Sequence, residues 1–163
     1  MSSLTNSSSS AGVRFDPNWK SIMECAAVEV FELMAGVRME LLAAPGEPRG
    51  EQTAMVGMAG ALCGMTSVRC TRITAGKLAG LMLGGDAATD PAMARDALGE
   101  LCNMIAGNFK AKVSNLADHC MLSVPTVITG DDYSMETAPP SECITLALDY
   151  EAQPIFVTLV THS

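Results

Sequence analysis

Residues 97–113 read ALGELCNMIAGNFKAKV, and their placement decides the fold. Stepped at about 100° per residue from Glu100, the residues Leu98, Leu101, Cys102, Ile105, Phe109, Val113 and Leu116 gather into one apolar stripe of an α-helix. The same helix holds Gly99, Asn103, Gly107 and Asn108. Each interior glycine costs about 1 kcal/mol relative to alanine, and each asparagine about 0.5–0.7 kcal/mol. Asp96, Glu100, Asn103 and Gly107 form a polar stripe on the far side, with Met104 and Ala111 beside it. A plain solvent face fills with Lys, Glu, Gln and Ala. A flat patch with a carboxylate, a carboxamide and a missing side chain suits close approach by another surface instead.

Asp90-Pro91 starts this helix, which is expected to run to about residue 117. Upstream, Asp16-Pro17 opens another helix over about 17–35, with Asp16 able to cap it. Its apolar face carries Trp19, Ile22, Met23, Ala26, Ala27, Val30, Phe31 and Met34, and Gly36 is a natural stop. Residues 37–43 read as a strand, and APGEPRGE (44–51) as a loop. TAMVGMAGAL (53–62) and MTSVRCTRI (65–73) read as a hairpin. Thr74 can cap a short helix, ended by Gly84-Gly85. Three strands are expected in the C-terminal part. They are CMLSVPTVITG (120–130), with Pro125 marking an edge or bulge, then CITLALDYE (143–151) and PIFVTLV (154–160). Residues 131–142 are expected as loop. The order α-β-β-β-α-α-β-β-β with short connections predicts an α+β domain. Its mostly antiparallel six-stranded sheet is packed by two long helices and one short one. Helix followed by three strands occurs in both halves, a hint of internal pseudo-symmetry.

The chain has 163 residues, suited to one domain over 15–163 behind a flexible Ser-rich tail at 1–14. It is 48% hydrophobic but only 4% aromatic, so the core must be aliphatic, with 12 Met among its fillers. The net charge of −8 argues against nucleic acid or an anionic membrane as partner. No apolar run reaches the roughly 18–20 residues of a membrane-spanning helix. The start has neither a basic n-region nor an apolar h-region, so a cytoplasmic protein is expected.

The six cysteines include no C-x-x-C pair and are expected to be small buried hydrophobes. With two histidines besides, no metal site is indicated. Asp118-His119-Cys120 resembles a nucleophile triad only on paper, because sequence neighbours point in different directions. His162, at the end of the sequence, is expected to be exposed. ITAGKLAG lacks the first glycine of a Walker A loop, and GMAGALCG is not G-x-G-x-x-G. Both read as packing or bulge glycines.

The pattern Asp96-x-x-x-Glu100-x-x-Asn103, with Pro125 after 21 intervening residues, resembles the signature of the CheC/CheX/FliY chemotaxis phosphatases. The layout is similar too: an N-terminal amphipathic helix, a Gly-rich hairpin, the LAGLMLGG helix, the long helix and terminal strands. The first helix, MECAAVEVFELMAG, supplies no second Glu-x-x-Asn, since Glu24, Glu29 and Glu32 are followed three places on by Ala27, Glu32 and Ala35. One motif per chain resembles CheX, whose members are homodimers paired through their sheets.

The resemblance implies a phosphatase for the aspartyl phosphate of a CheY-type response-regulator receiver domain. Asn103 would orient the attacking water and Glu100 would pair with the receiver's lysine. Asp96, Met104 and Gly107 would contact the partner, and Pro125 would be structural. The phosphatase needs no cofactor of its own, because Mg²⁺ comes with the receiver. The alternatives on the same fold are a non-catalytic receiver-binding or flagellar-switch module, and a structural dimer without a receiver partner.

Overall fold

Helix α1 (Trp19–Ala35) begins two residues after Pro17. Asp16 acts just ahead of it: its Oδ1 accepts the Asn18 N–H at 2.9 Å and its carbonyl accepts the Trp19 N–H at 2.9 Å. Gly36, at φ +70°, closes the helix by donating to the Glu32 carbonyl. The computed structural model describes residues 13–130, 133, 138, 139 and 141–162. The expected Ser-rich tail lies outside the described residues as far as residue 12, and so does most of the expected 131–142 loop.

Seven strands follow: β1 (Glu40–Leu41), β2 (Gln52–Gly60), β3 (Cys63–Cys70), β4 (Cys120–Leu122), β5 (Thr126–Thr129), β6 (Ser141–Tyr150) and β7 (Gln153–His162). They form one antiparallel sheet in the order β1-β6-β7-β3-β2-β4, with β5 also on β2. Helices α2 (Arg72–Leu83) and α3 (Pro91–Lys112) flank a short 3₁₀ turn at Gly85–Thr89. Together with α1 they complete the α+β architecture that the sequence predicts.

The strand count is seven rather than six because Pro125 splits the expected 120–130 strand. Proline has no N–H for the ladder, and Ser123 makes up part of the gap. Its backbone N–H reaches the Gly57 carbonyl at 2.9 Å, and its Oγ accepts the Gly57 N–H at 2.8 Å. The expected 37–43 strand shrinks to two residues, extended by the Leu42 N–H bonding the Ala147 carbonyl at 2.8 Å. The pseudo-symmetry hint is realised in the sheet. Hairpins β2–β3 and β6–β7 meet at the centre, and the edge strand of each half lies on the hairpin of the other.

Helix α3 stops at Lys112 rather than near 117, because Val113 is extended and Asn115 takes φ +69°. Leu116 still enters the core through that turn and is fully buried. Helix α2 is capped by Thr71, whose Oγ1 accepts the Thr74 N–H at 3.1 Å, so Thr74 is not the cap. Trp19 meets the Phe109 ring edge-on at 5.8 Å, pinning α1 to α3. The cysteines divide evenly, which corrects the expectation of general burial. Cys70, Cys102 and Cys120 are buried, whereas Cys25, Cys63 and Cys143 are exposed, and all six are free. Burial pushes the Cys70 and Cys102 thiols up to about 12.

The glycines of ITAGKLAG are packing glycines. A Cβ on Gly76 would stand 2.6 Å from the Ala88 carbonyl oxygen, and one on Gly80 would stand 3.1 Å from the Ala88 Cβ. Gly76→Ala is therefore expected to destabilise the fold by about 1–3 kcal/mol in urea unfolding, despite the better helix propensity of alanine.

Candidate functional site

Helix α3 is started by Asp90, whose Oδ1 accepts the N–H groups of Ala92 and Met93 at 2.9 and 3.4 Å, with Pro91 at the first position. Its roll is set by Leu98, Leu101, Cys102, Ile105 and Phe109, all buried against the sheet and α1. Asp96 and Glu100 are exposed on the opposite side, and Asn103, Met104 and Gly107 are half-buried there.

The four poor helix formers divide into two pairs. Gly99 is buried where Pro125 crosses α3: a Cβ there would stand 3.3 Å from the Pro125 Cβ. Asn108 is a tie to α1, donating from Nδ2 to the Ala26 carbonyl at 3.3 Å and to Glu29 Oε2 at 2.9 Å. These two residues serve the fold. Gly107 does not, because a Cβ there would meet only Leu122 Cδ1 at 3.9 Å. The Asn103 carboxamide has no hydrogen-bond partner among the described residues.

Asn103 stands in the wall of an open groove of about 450 Å³ between α1, α3 and β4. Leu33 and Val30 line the α1 side, and Met104, Gly107 and Leu122 complete it. Leu33 is 75% exposed, an apolar side chain with no internal task. The α1 wall and Leu122 are absent from the sequence reading. Leu33 carries the available signal: it is a leucine outside the apolar stripe of α1.

The groove wall is braced by Glu29. Its carboxylate accepts from Asn108 Nδ2, from Lys112 Nζ at 3.1 Å and from Cys25 Sγ at 3.3 Å. The Asn108 bond first, then the Lys112 and Cys25 bonds, pull the Glu29 carboxyl down to about 2. The Glu29 bond holds the Cys25 thiol above its ordinary value.

The remaining signals do not converge. Asp118 and His119 are exposed whereas Cys120 is buried, its Sγ donating to the Leu62 carbonyl at 3.8 Å. His162 is exposed. Among the described residues no three His, Cys, Asp or Glu side chains gather as a metal site, and no helix is long and apolar enough to cross a membrane.

Three helices packed on one antiparallel sheet are the architecture of CheX- and CheC-like domains. The family described as "Chemotaxis phosphatase CheX" matches residues 52–149. Among solved structures, the chemotaxis protein CheX of Desulfovibrio desulfuricans is 25% identical, with TM-score 0.74 over 89% of this chain and 99% of that one. CheX of Vibrio vulnificus is 18% identical, with TM-score 0.79 over 92% of this chain and 100% of that one. The CheX–CheY–BeF₃–Mg²⁺ complex of Borrelia burgdorferi is similar at 20% identity, with TM-score 0.75 over 92% of this chain and 100% of that one. No curated protein sequence matches the chain. The chain belongs to the CheX family of chemotaxis phosphatases.

Gly107→Ala is expected to stabilise the protein by up to about 1 kcal/mol in chemical unfolding, because nothing inside opposes the new methyl. Gly99→Ala is expected to bring no such gain, because its Cβ presses on Pro125. The Glu29 carboxyl lies below its unfolded value of 4.5. Its bracing is therefore complete above that value and is lost as pH falls toward 2. Glu29→Gln should flatten the loss of thermal stability over that acid range relative to the wild type.

Proposed function

We propose that the chain hydrolyses the aspartyl phosphate of a CheY-type receiver domain, with Asn103 holding the attacking water. The observation that carries this reading is the Asn103 carboxamide in the groove wall, without a hydrogen-bond partner among the described residues and one turn from exposed Glu100. Water must attack phosphorus in line with the leaving carboxylate. A carboxamide accepts one hydrogen bond and donates two, so it can orient that water as a glutamine does in GTPases. Fixing the attack geometry removes several kcal/mol of barrier.

Glu100 pairs with the lysine of the receiver's active site and anchors the ridge. Partial desolvation at the interface strengthens this pair beyond the ~0–1 kcal/mol of an open surface bridge. Asp96, Met104 and Gly107 make contacts around it, and Pro125 sets the ridge through Gly99. In this reading the Mg²⁺ that balances phosphoryl charge is supplied by the receiver. The Borrelia neighbour, bound to CheY with BeF₃ and Mg²⁺, supports the choice of partner. Two copies pair through the sheet in this reading. The sheet face away from the helices carries half-buried Met55, Met65, Thr145 and Thr158 beside the single half-buried charge of Arg69 among its described strand residues, which suits it.

The test is decay of a phosphorylated receiver. The wild type should accelerate it. Asn103→Ala should return it to the intrinsic rate with no loss of thermal stability, and Glu100→Ala should act mainly by raising KM. Unchanged decay with the wild type, alongside retained binding, would establish a binding module instead. Sedimentation should give twice the chain mass.

A further inference from the structure

The wall of the groove opposite Asn103 is apolar. Leu33 stands 75% exposed on it, with buried Val30 one turn earlier on α1. Half-buried Met104 and Leu122 complete the apolar lining. Gly107 leaves a hollow among them, because a Cβ there would meet only Leu122 Cδ1 at 3.9 Å. Glu29 and Asn108 also line the groove, but both are committed. The Glu29 carboxylate is held by Asn108, Lys112 and Cys25, and the Asn108 Nδ2 is shared between Glu29 and the Ala26 carbonyl. A body lying in the hollow is therefore offered apolar surface.

Asn103 belongs to the same groove, so a body that brings a phosphoryl group to it must also lie over the hollow. A second copy paired through the sheet does not reach this place, because α1 and α3 cover the other face. Along the α3 axis Asn103 lies about 4.5 Å from Glu100, and Gly107 about 6 Å farther on. The surface thus presents a carboxylate, a carboxamide and an apolar hollow in that order, over about 10 Å. We propose that the receiver fills this hollow with an apolar side chain, on the far side of its phosphoryl group from its lysine, and that Leu33 is a specificity-determining residue for that contact. The proposal rests on the reading of Asn103 and Glu100 given above and adds a second demand on the partner. A receiver with a charged side chain at that place would strand it, desolvated and unpaired, against Leu33 and Met104 and is rejected. Unbranched Met104 can adapt to an aliphatic or an aromatic occupant.

Two measurements on the full chain test this. One is binding to the CheY-type receivers of the same organism, each loaded with beryllium fluoride and Mg²⁺. The other is decay of those receivers after phosphorylation with acetyl phosphate. Leu33→Ser should weaken binding by about tenfold or more, the loss expected when one leucine is no longer buried. It should raise KM by a similar factor and leave kcat within about twofold. Gly107→Leu fills the hollow from within, so it should weaken binding as much while unfolding no more easily than the wild type. Ile73→Ala removes a side chain equally exposed, at 73%, on α2, and should bind like the wild type. If the wild type binds and Leu33→Ser or Gly107→Leu binds equally well, the hollow is overturned and the hydrolysis reading stands. A fall in kcat at unchanged KM in Leu33→Ser would overturn it too. A wild type that binds without speeding decay would overturn the hydrolysis reading, and the binding arm would still decide the hollow. A wild type that binds no receiver would overturn both.

Discussion

The burial of one stripe on α3 fixes everything the candidate site depends on. Leu98, Leu101, Cys102, Ile105 and Phe109 can enter the core only at one roll angle of the helix. At that angle Glu100 points to solvent and Asn103 stands at the edge of a groove. The carboxamide is placed by packing on the other side of its own helix. A hydroxyl or amide network around Asn103 would hold it as well, but would also occupy the bonds the proposed water needs.

The same residue types do opposite work a few ångströms apart. Asn108 and Glu29 satisfy one another and tie α3 to α1. Asn103 and Glu100 have no such ties among the described residues. Helix α1 has its own carboxylates, but Glu29 is committed to the brace, and none of Glu24, Glu29 and Glu32 has an asparagine three places on. In a fold whose halves mirror one another across β3 and β7, α1 thus becomes a wall and α3 alone a ridge. The exchange of edge strands between the halves holds that arrangement, because β4 and β5, which bring Leu122 and Pro125 to α3, lie on the β2 hairpin of the other half.

Periodicity is a local property, so the sequence determined what depends on it: the two long helices, the buried and exposed sides of α3, the two hairpins and the antiparallel α+β class. It also separated Asp96, Glu100, Asn103 and Gly107 from the core stripe, because side-chain direction in a helix follows from residue number alone. Only the tertiary structure decided which of the four poor helix formers serve packing and which stay free. That depends on Pro125, Ala26 and Leu122, residues remote in the chain whose proximity no local pattern encodes. The same reason hid the split of the 120–130 strand, the brace at Glu29, the groove wall at Leu33 and the Gln52 oxygen that finds no partner among the described residues. Each arises where elements distant in sequence close on one another, and there packing decides which polar groups find partners.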